Sequence, residues 1–220
     1  MIIFLMSGTN NFKCSLCGNS EAIFFHHDRL REYWRCQICR LVFVPPSYFL
    51  SAADEKAEYD RHQNNPNDPG YRKFLSRLFE PMNTHLPPES TGLDFGSGPG
   101  PTLSLMFTEA GHKTQIYDPF YAPDSSVFEQ RYDFITATEV VEHLHAPADE
   151  LNRLWNCLKP GGQLGIMTKL VLNQNAFARW HYIRDLTHVC FFSRETFKWL
   201  AAHWNTECVF PGNDVILLEK

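Results

Sequence analysis

Four cysteines stand as Cys14-x-x-Cys17 and Cys36-x-x-Cys39, two knuckles of equal spacing with residues 18–35 between them. Each knuckle turns two thiolates towards one point, and a hairpin of that length brings the pairs together as a tetrahedral four-thiolate site, which suits zinc. A second group is Gly-Leu-Asp-Phe-Gly-Ser-Gly-Pro-Gly-Pro at 92–101. An apolar run ending in Asp94 and followed by Gly96, Gly98 and Gly100 describes a strand that turns abruptly into a helix, with a backbone bare enough for a small ligand to press against. A third segment, 180–188, reads Trp-His-Tyr-Ile-Arg-Asp-Leu-Thr-His and is dense in polar and aromatic groups. There Asp185 and His188 can pair as an oriented general base, or hydrogen-bond to fix the loop before Phe191-Phe192-Ser193.

The elements that must position these groups follow from pattern. Aromatic and apolar runs at 22–25, 33–36 and 41–44 are the short strands of a ribbon, which Pro45-Pro46 closes. Residues 54–62 are charged and helix-compatible, 64–70 form a turn, and Phe74, Leu75, Leu78, Phe79 and Met82 recur at helical spacing, predicting an amphipathic helix over 71–82. After Pro87-Pro88 strands and helices alternate: strand at 93–95, helix 102–110, strands 113–117 and 132–138, helix 148–158, a turn at Pro160-Gly161-Gly162, and a strand at 163–168. Such alternation means a parallel sheet covered on both faces. Ser193 can cap a helix over 195–202, and 207–210 with 215–218 flank a turn as an antiparallel hairpin.

Composition sets the limits. The 220 residues hold one well-buried domain plus a small appendage; 44% hydrophobic content and 18 Phe promise a substantial core. Net charge of −5 argues against a protein whose main partner is a phosphate backbone, although residues 1–50 carry five basic residues (Lys13, Arg29, Arg31, Arg35, Arg40) against three acidic. Met1 to Met6 is too short and lacks the basic flank of a signal peptide, and no run is long enough for a membrane span. The expected placement is cytoplasmic, where Cys157, Cys190 and Cys208 are core or half-buried thiols rather than a disulfide framework.

For the glycine loop, a dinucleotide pattern needs its third glycine one residue later, where Pro101 stands, and a phosphate loop needs Gly-Lys-Ser/Thr, which is absent. The spacing Asp94-x-Gly96-x-Gly98-x-Gly100 instead resembles motif I of the class I methyltransferases that use S-adenosylmethionine. The zwitterionic methionine end of that cofactor suits backbone N–H groups near a helix start and an anion such as Asp94, directly or through water. Further motifs carry the resemblance: Asp118 closes the second strand, placed to accept ribose hydroxyls; Tyr-Asp-Phe-Ile-Thr-Ala-Thr-Glu at 132–139 is similar to the fourth-strand motif, followed by Val-Glu-His-Leu at 141–144; and Leu-Lys-Pro-Gly-Gly-Gln-Leu at 158–164 resembles the turn before the fifth strand. With the four-cysteine ribbon ahead of it, the chain resembles the methyltransferase type 23 group.

The resemblance implies a Rossmann-like class I methyltransferase sheet, mostly parallel with an antiparallel C-terminal hairpin, and a small N-terminal zinc ribbon. It divides the chain into a ribbon (1–50), a helical linker and substrate-side cap (51–84) and a cofactor-binding domain (85–220). It implies cofactor contacts from Asp94, Gly96, Ser97, Gly98, Gly100, Asp118, Pro119, Thr138 and Glu139, and structural zinc on Cys14, Cys17, Cys36 and Cys39. One departure stands out: only residues 119–131 separate the second strand from the next, too few for the usual helix and third strand. The sheet is expected to be shortened there, with Pro119, Phe120 and Tyr121 as the adenine wall.

The base, if one is needed, is His188 with Asp185, or alternatively the set Glu139, Glu142 and His143. Three functions stay open: methylation of a small-molecule or saccharide-type acceptor, methylation of RNA or protein recognised by the ribbon, and a non-catalytic binding module on the cofactor fold. The acceptor atom and the oligomeric state are not legible.

Overall fold

The computed structural model describes residues 12–61 and 64–220; the apolar Met1–Met6 stretch and the last residue of the 54–62 segment lie outside them. Strands β1 (Ala22–His27) and β2 (Glu32–Cys36) pair antiparallel with Phe24 opposite Trp34, and β3 (Val42–Phe43) pairs with β2 after the second knuckle. Helix α1 (Ala52–Tyr59) starts where the Ser51 side chain accepts from the Asp54 N–H. Helix α2 (Pro69–Asn83) starts two residues before the apolar spacing predicts. The Asp68 carboxylate caps it, and Pro69 sits in the first turn, where a missing N–H leaves no bond unmade.

The main sheet begins with β4 (Thr91–Phe95), then α3 (Thr102–Glu109), β5 (Lys113–Tyr117), β6 (Tyr132–Thr138), α4 (Pro147–Cys157) and β7 (Leu158–Met167). A short helix α5 (Gln174–Phe177) and the two-residue β8 (Cys190–Phe191) lead to α6 (Arg194–His203), which carries the expected cap: Ser193 and Thr196 exchange side-chain bonds with each other's backbone. Strands β9 (Cys208–Val209) and β10 (Val215–Glu219) form the terminal hairpin. The strand order is β5-β4-β6-β7-β10-β9, with β5, β4, β6 and β7 parallel and β10 antiparallel to β7. This is the mixed α/β sheet that the resemblance implies.

Two details depart from the sequence pattern or sharpen it. The Pro160–Gly162 turn does not interrupt a strand pair; it is absorbed as a bulge inside β7, where register jumps from Tyr132↔Leu158 to Phe134↔Gln163. The Lys220 backbone fills the gap, accepting from Gly161 N–H at 2.7 Å and donating to the Gly162 carbonyl at 3.0 Å. Residues 119–131 contain only a single 3₁₀ turn, Ser125–Glu129, so β5 is the edge of a shortened, six-stranded sheet.

Two cores hold the layers. On one face Leu75, Leu78 and Met82 of α2 meet Leu103, Met106 and Phe107 of α3 over Phe134. Each fully buried Phe or Leu contributes roughly 1.5–3 kcal/mol. On the other face a larger core runs without a break from the sheet into the ribbon. It is continuous because β8 completes the ribbon sheet, in the order β1-β2-β3-β8, with Val42 opposite Phe191 and Phe43 opposite Cys190. Tyr33 and Phe25 of the ribbon pack edge-on against Phe177, at 5.1 and 5.2 Å between ring centres. No helix among the described residues is long and apolar enough to cross a membrane.

Candidate active site

Strand β4 is flanked by β5 on one side and β6 on the other, so the chain leaves its C-terminal end at the point where strand order reverses, the position at which open α/β sheets bind ligands. A cavity of about 840 Å³ opens there. The glycine loop forms one wall. Gly96 has φ +73°, and a Cβ at that position would lie 2.3 Å from Val140 Cγ2, so the loop needs both the left-handed backbone and the bare Cα. Gly100 is bare for a different reason: a Cβ would lie 1.8 Å from the Asn64 carbonyl oxygen, because the chain leading into α2 crosses directly over the loop.

The loop's amides are largely committed within the chain. Gly96 and Ser97 N–H groups donate to the Tyr117 carbonyl at 2.7 and 3.2 Å, and Gly98 N–H donates to Asp118 Oδ2 at 3.0 Å. Asp118 Oδ1 accepts from the Phe120 and Tyr121 N–H groups at 2.8 and 3.1 Å, so this one carboxylate shapes both the glycine loop and the 119–121 wall. It remains on the cavity surface with Pro119, Phe120 and Tyr121. The Tyr121 hydroxyl reaches Asp60 at 2.7 Å, tying that wall to the end of α1.

Asp94 is placed differently from its neighbours. It is only 4% exposed, is not part of the cavity wall, and accepts from Thr136 Oγ1 at 2.8 Å; burial pushes its carboxyl up to about 6. Ser97, Thr138 and Glu139 do line the cavity, and Ser97 Oγ, Thr138 Oγ1 and Glu139 Oε1 are each buried and without a hydrogen-bond partner among the described residues. Buried polar atoms of native proteins are rarely left so. Glu139 is held at φ +51°, an uncommon backbone state for a residue with a side chain, while its N–H donates to the Met167 carbonyl at 2.7 Å. Burial raises its carboxyl to about 7, with Lys169 opposing.

The 180–188 segment forms the opposite wall. His188 is 7% exposed; its Nδ1 lies 2.7 Å from the Tyr182 carbonyl, which fixes the proton on Nδ1 and leaves Nε2 with its lone pair. Nε2 is 3.7 Å from Asp185 Oδ2, and burial pushes the imidazole down to about 4, so at neutral pH a neutral ring faces a carboxylate. Asp185 is itself oriented by Thr187, whose N–H and hydroxyl donate to Oδ1 at 2.9 and 2.6 Å. Two members of the alternative set Glu139, Glu142 and His143 are adjacent to it: Glu142, His143 and His188 each place a ligand-type atom within 4.8 Å of the other two. Glu142 is fully buried, accepts from the Tyr182 hydroxyl and from Thr168 at 3.1 Å, and is raised by desolvation to about 8.

The structure therefore brings Gly96, Ser97, Gly98, Asp118, Pro119, Thr138, Glu139, Asp185 and His188 to one cavity, and sets Asp94 and Gly100 behind it. Tyr59 and Lys169 join the wall without having been singled out by motif, because long-range packing brings them there. In the ribbon the four cysteines converge: Cys14 Sγ lies 3.5 Å from Cys39 Sγ, Cys17 Sγ lies 3.4 Å from Cys36 Sγ, and all four sulfurs fall within 4.8 Å of one another. Four ligands at 2.3 Å from a tetrahedral ion stand about 3.8 Å apart, so the donor set fits zinc.

A glycine loop at the switch point of a mostly parallel sheet defines a Rossmann-like fold. Residues 59–209 match the family described as a methyltransferase domain, and the chain belongs to that family. It is 31% identical over 88 residues to the ubiquinone biosynthesis O-methyltransferase of Serratia proteamaculans, a match covering 40% of this chain and 35% of that protein. The protein of the same description from Klebsiella pneumoniae is 30% identical over 88 residues, with the same coverage. The chain thus spans about a third of the length of the curated relatives it matches. In fold it is similar to a SAM-dependent methyltransferase from Archaeoglobus fulgidus, with a TM-score of 0.52 at 16% identity, over 77% of this chain and all of that one.

Proposed function

We propose that the protein transfers the methyl group of S-adenosylmethionine to a small-molecule acceptor bound in the cavity between the glycine loop and the 180–188 segment. The observation that carries this reading is the set of three unpartnered polar atoms, on Ser97, Thr138 and Glu139, at the C-terminal ends of β4 and β6. A ligand with hydroxyl and ammonium donors and a carboxylate supplies the missing bonds. Phe120 and Tyr121 give an apolar wall for its base, and Asp118, which accepts two N–H bonds on Oδ1 and one on Oδ2, retains acceptor capacity on Oδ2 for a ribose hydroxyl.

When bound, S-adenosylmethionine supplies a methyl group already activated on a sulfonium. The chain's work is then alignment, exclusion of water and handling of the acceptor proton. Tyr59, Asn64 and Tyr121 line the cavity, and the Tyr121–Asp60 bond ties Tyr121 to the end of α1. His188, neutral with its Nε2 lone pair free, is the group we assign to the acceptor proton; the Tyr182 carbonyl orients the ring, and Asp185 stabilises it as it takes up charge.

The ribbon gives little support to an RNA or protein acceptor. Of its five basic residues Arg31 is buried and engaged with the 183–188 backbone, and Arg35 is half-buried with its guanidinium over Phe25. The O-methylation named for the relatives makes an oxygen acceptor the first to examine. Methyl-labelled S-adenosylmethionine incubated with the protein and a size-fractionated cell extract tests the reading. Label in the small-molecule fraction supports it; label confined to RNA or protein fractions contradicts it.

A further inference from the structure

We propose that Arg31 is a positioning residue through which the zinc ribbon sets the 183–188 backbone and, with it, Asp185 and His188. This rests on the reading of 180–188 as the acceptor-side wall. Arg31 is 3% exposed and makes a bond with each of its five N–H donors. Nη1 donates to the carbonyls of Leu186 at 3.0 Å and His188 at 2.8 Å; Nη2 donates to those of Ile183 at 2.9 Å and Asp185 at 3.0 Å; Nε donates to the Tyr33 hydroxyl at 3.2 Å. Four carbonyls of one short segment thus converge on one guanidinium. Without it they would be inward-facing acceptors in a site with little water, which native backbones avoid.

The clamp is built into the ribbon. Asp28 Oδ1 accepts from the Leu30 and Arg31 N–H groups at 2.7 and 2.8 Å, closing the turn between β1 and β2, and the Tyr33 hydroxyl donates to Asp28 Oδ2 at 2.6 Å. Strand β2 begins at the next residue, Glu32, and ends at Cys36, one of the four sulfur donors. The four-sulfur site at the far end of β2 and Arg31 at its near end therefore share one strand, while β3 and β8 join the same sheet to the residues just after His188. A lysine cannot reproduce this contact: its three donors sit on a single atom and cannot span four carbonyls.

Hydrogen exchange followed by mass spectrometry on the full chain, with no cofactor present, tests the clamp independently of the methyl-transfer reading. In Arg31→Ala, exchange across 181–189 should rise about tenfold or more, with Arg31→Lys intermediate, while β4 and β6 stay as protected as in the wild type. Removing zinc with a chelator should give the same rise across 181–189 together with exposure of 22–43. Unchanged protection of 181–189 in either variant, or in zinc-stripped protein whose ribbon exchanges freely, would overturn the proposal. If Arg31→Ala fails to fold, Arg31→Lys carries the test. A second readout separates positioning from mere packing: in Arg31→Lys, S-adenosylhomocysteine affinity should stay within about threefold while labelled-methyl turnover falls about tenfold or more. An equal loss of both would contradict a role confined to the 183–188 wall.

Discussion

The hydroxyl of Tyr182 donates to the carboxyl of Glu142, a fully buried acid placed between the strand-end residue Glu139 and the 180–188 wall. This contact joins the two halves of the cavity through a group that burial holds protonated up to about pH 8.

That titration has a consequence for stability. A carboxyl raised from its ordinary value near 4.5 binds its proton in the folded state and loses it in the unfolded one, so its stabilising effect is complete below pH 4.5 and is lost as pH rises to about 8. Glu139, raised to about 7, acts in the same sense. His188, lowered to about 4, acts oppositely but only below about 6.5, so the window from 6.5 to 8 isolates the acids. Melting temperature should fall across it by roughly 5 °C, and Glu142→Gln should flatten the fall. A wild-type profile level from pH 6.5 to 8 would exclude this titration.

His188 gives a kinetic prediction. With its pKa pushed down to about 4 by burial, the ring is already neutral at pH 5, and the turnover profile should show no acidic limb near 6.5. His188→Asn should lower kcat by about 10²–10⁴ while S-adenosylhomocysteine affinity is unchanged, as expected for loss of a proton acceptor. A limb near 6.5 that persists in His188→Asn would place the base elsewhere.

Gly96→Ala must place a side chain on a left-handed backbone and 2.3 Å from Val140 Cγ2. The expected cost is about 1–3 kcal/mol, read as a lower melting temperature. Cofactor affinity should fall with it, since the displaced loop carries Ser97. Asp118→Ala should act by another route. It orphans the N–H groups of Gly98, Phe120 and Tyr121, and should weaken S-adenosylhomocysteine binding by about tenfold or more without abolishing folding.

For the ribbon, metal analysis should give about one zinc per chain, and Cys36→Ala should lose it. Because the ribbon shares its core with β8 and Phe177, that loss should also lower the melting temperature of the rest of the molecule. A metal-free chain with an undiminished melting temperature would contradict the assignment.

The sequence was most legible where chemistry and period coincide. The glycines after Asp94, the paired cysteine knuckles and the strand spans 113–117 and 132–138 are all local patterns, and each describes what is found. What stayed illegible depends on long-range contact. Asp94 stands in the motif like a ligand-facing acid, yet Thr136 on the neighbouring strand and the start of α3 enclose it. The Pro160–Gly162 turn reads as a break because its filler, Lys220, lies at the other end of the chain. Arg31 reads as one of the five basic residues of 1–50, and only the folded position of 183–188 shows why it is buried. No local spacing encodes β3 pairing with β8 across some 150 residues.

The most direct measurement is calorimetric titration of S-adenosylhomocysteine into the wild-type chain and into Gly96→Ala. Saturable binding at one site per chain, weakened about tenfold or more in Gly96→Ala, is the expected result. A folded, zinc-replete wild-type protein that shows no binding of S-adenosylhomocysteine or S-adenosylmethionine would contradict the proposed function at its root.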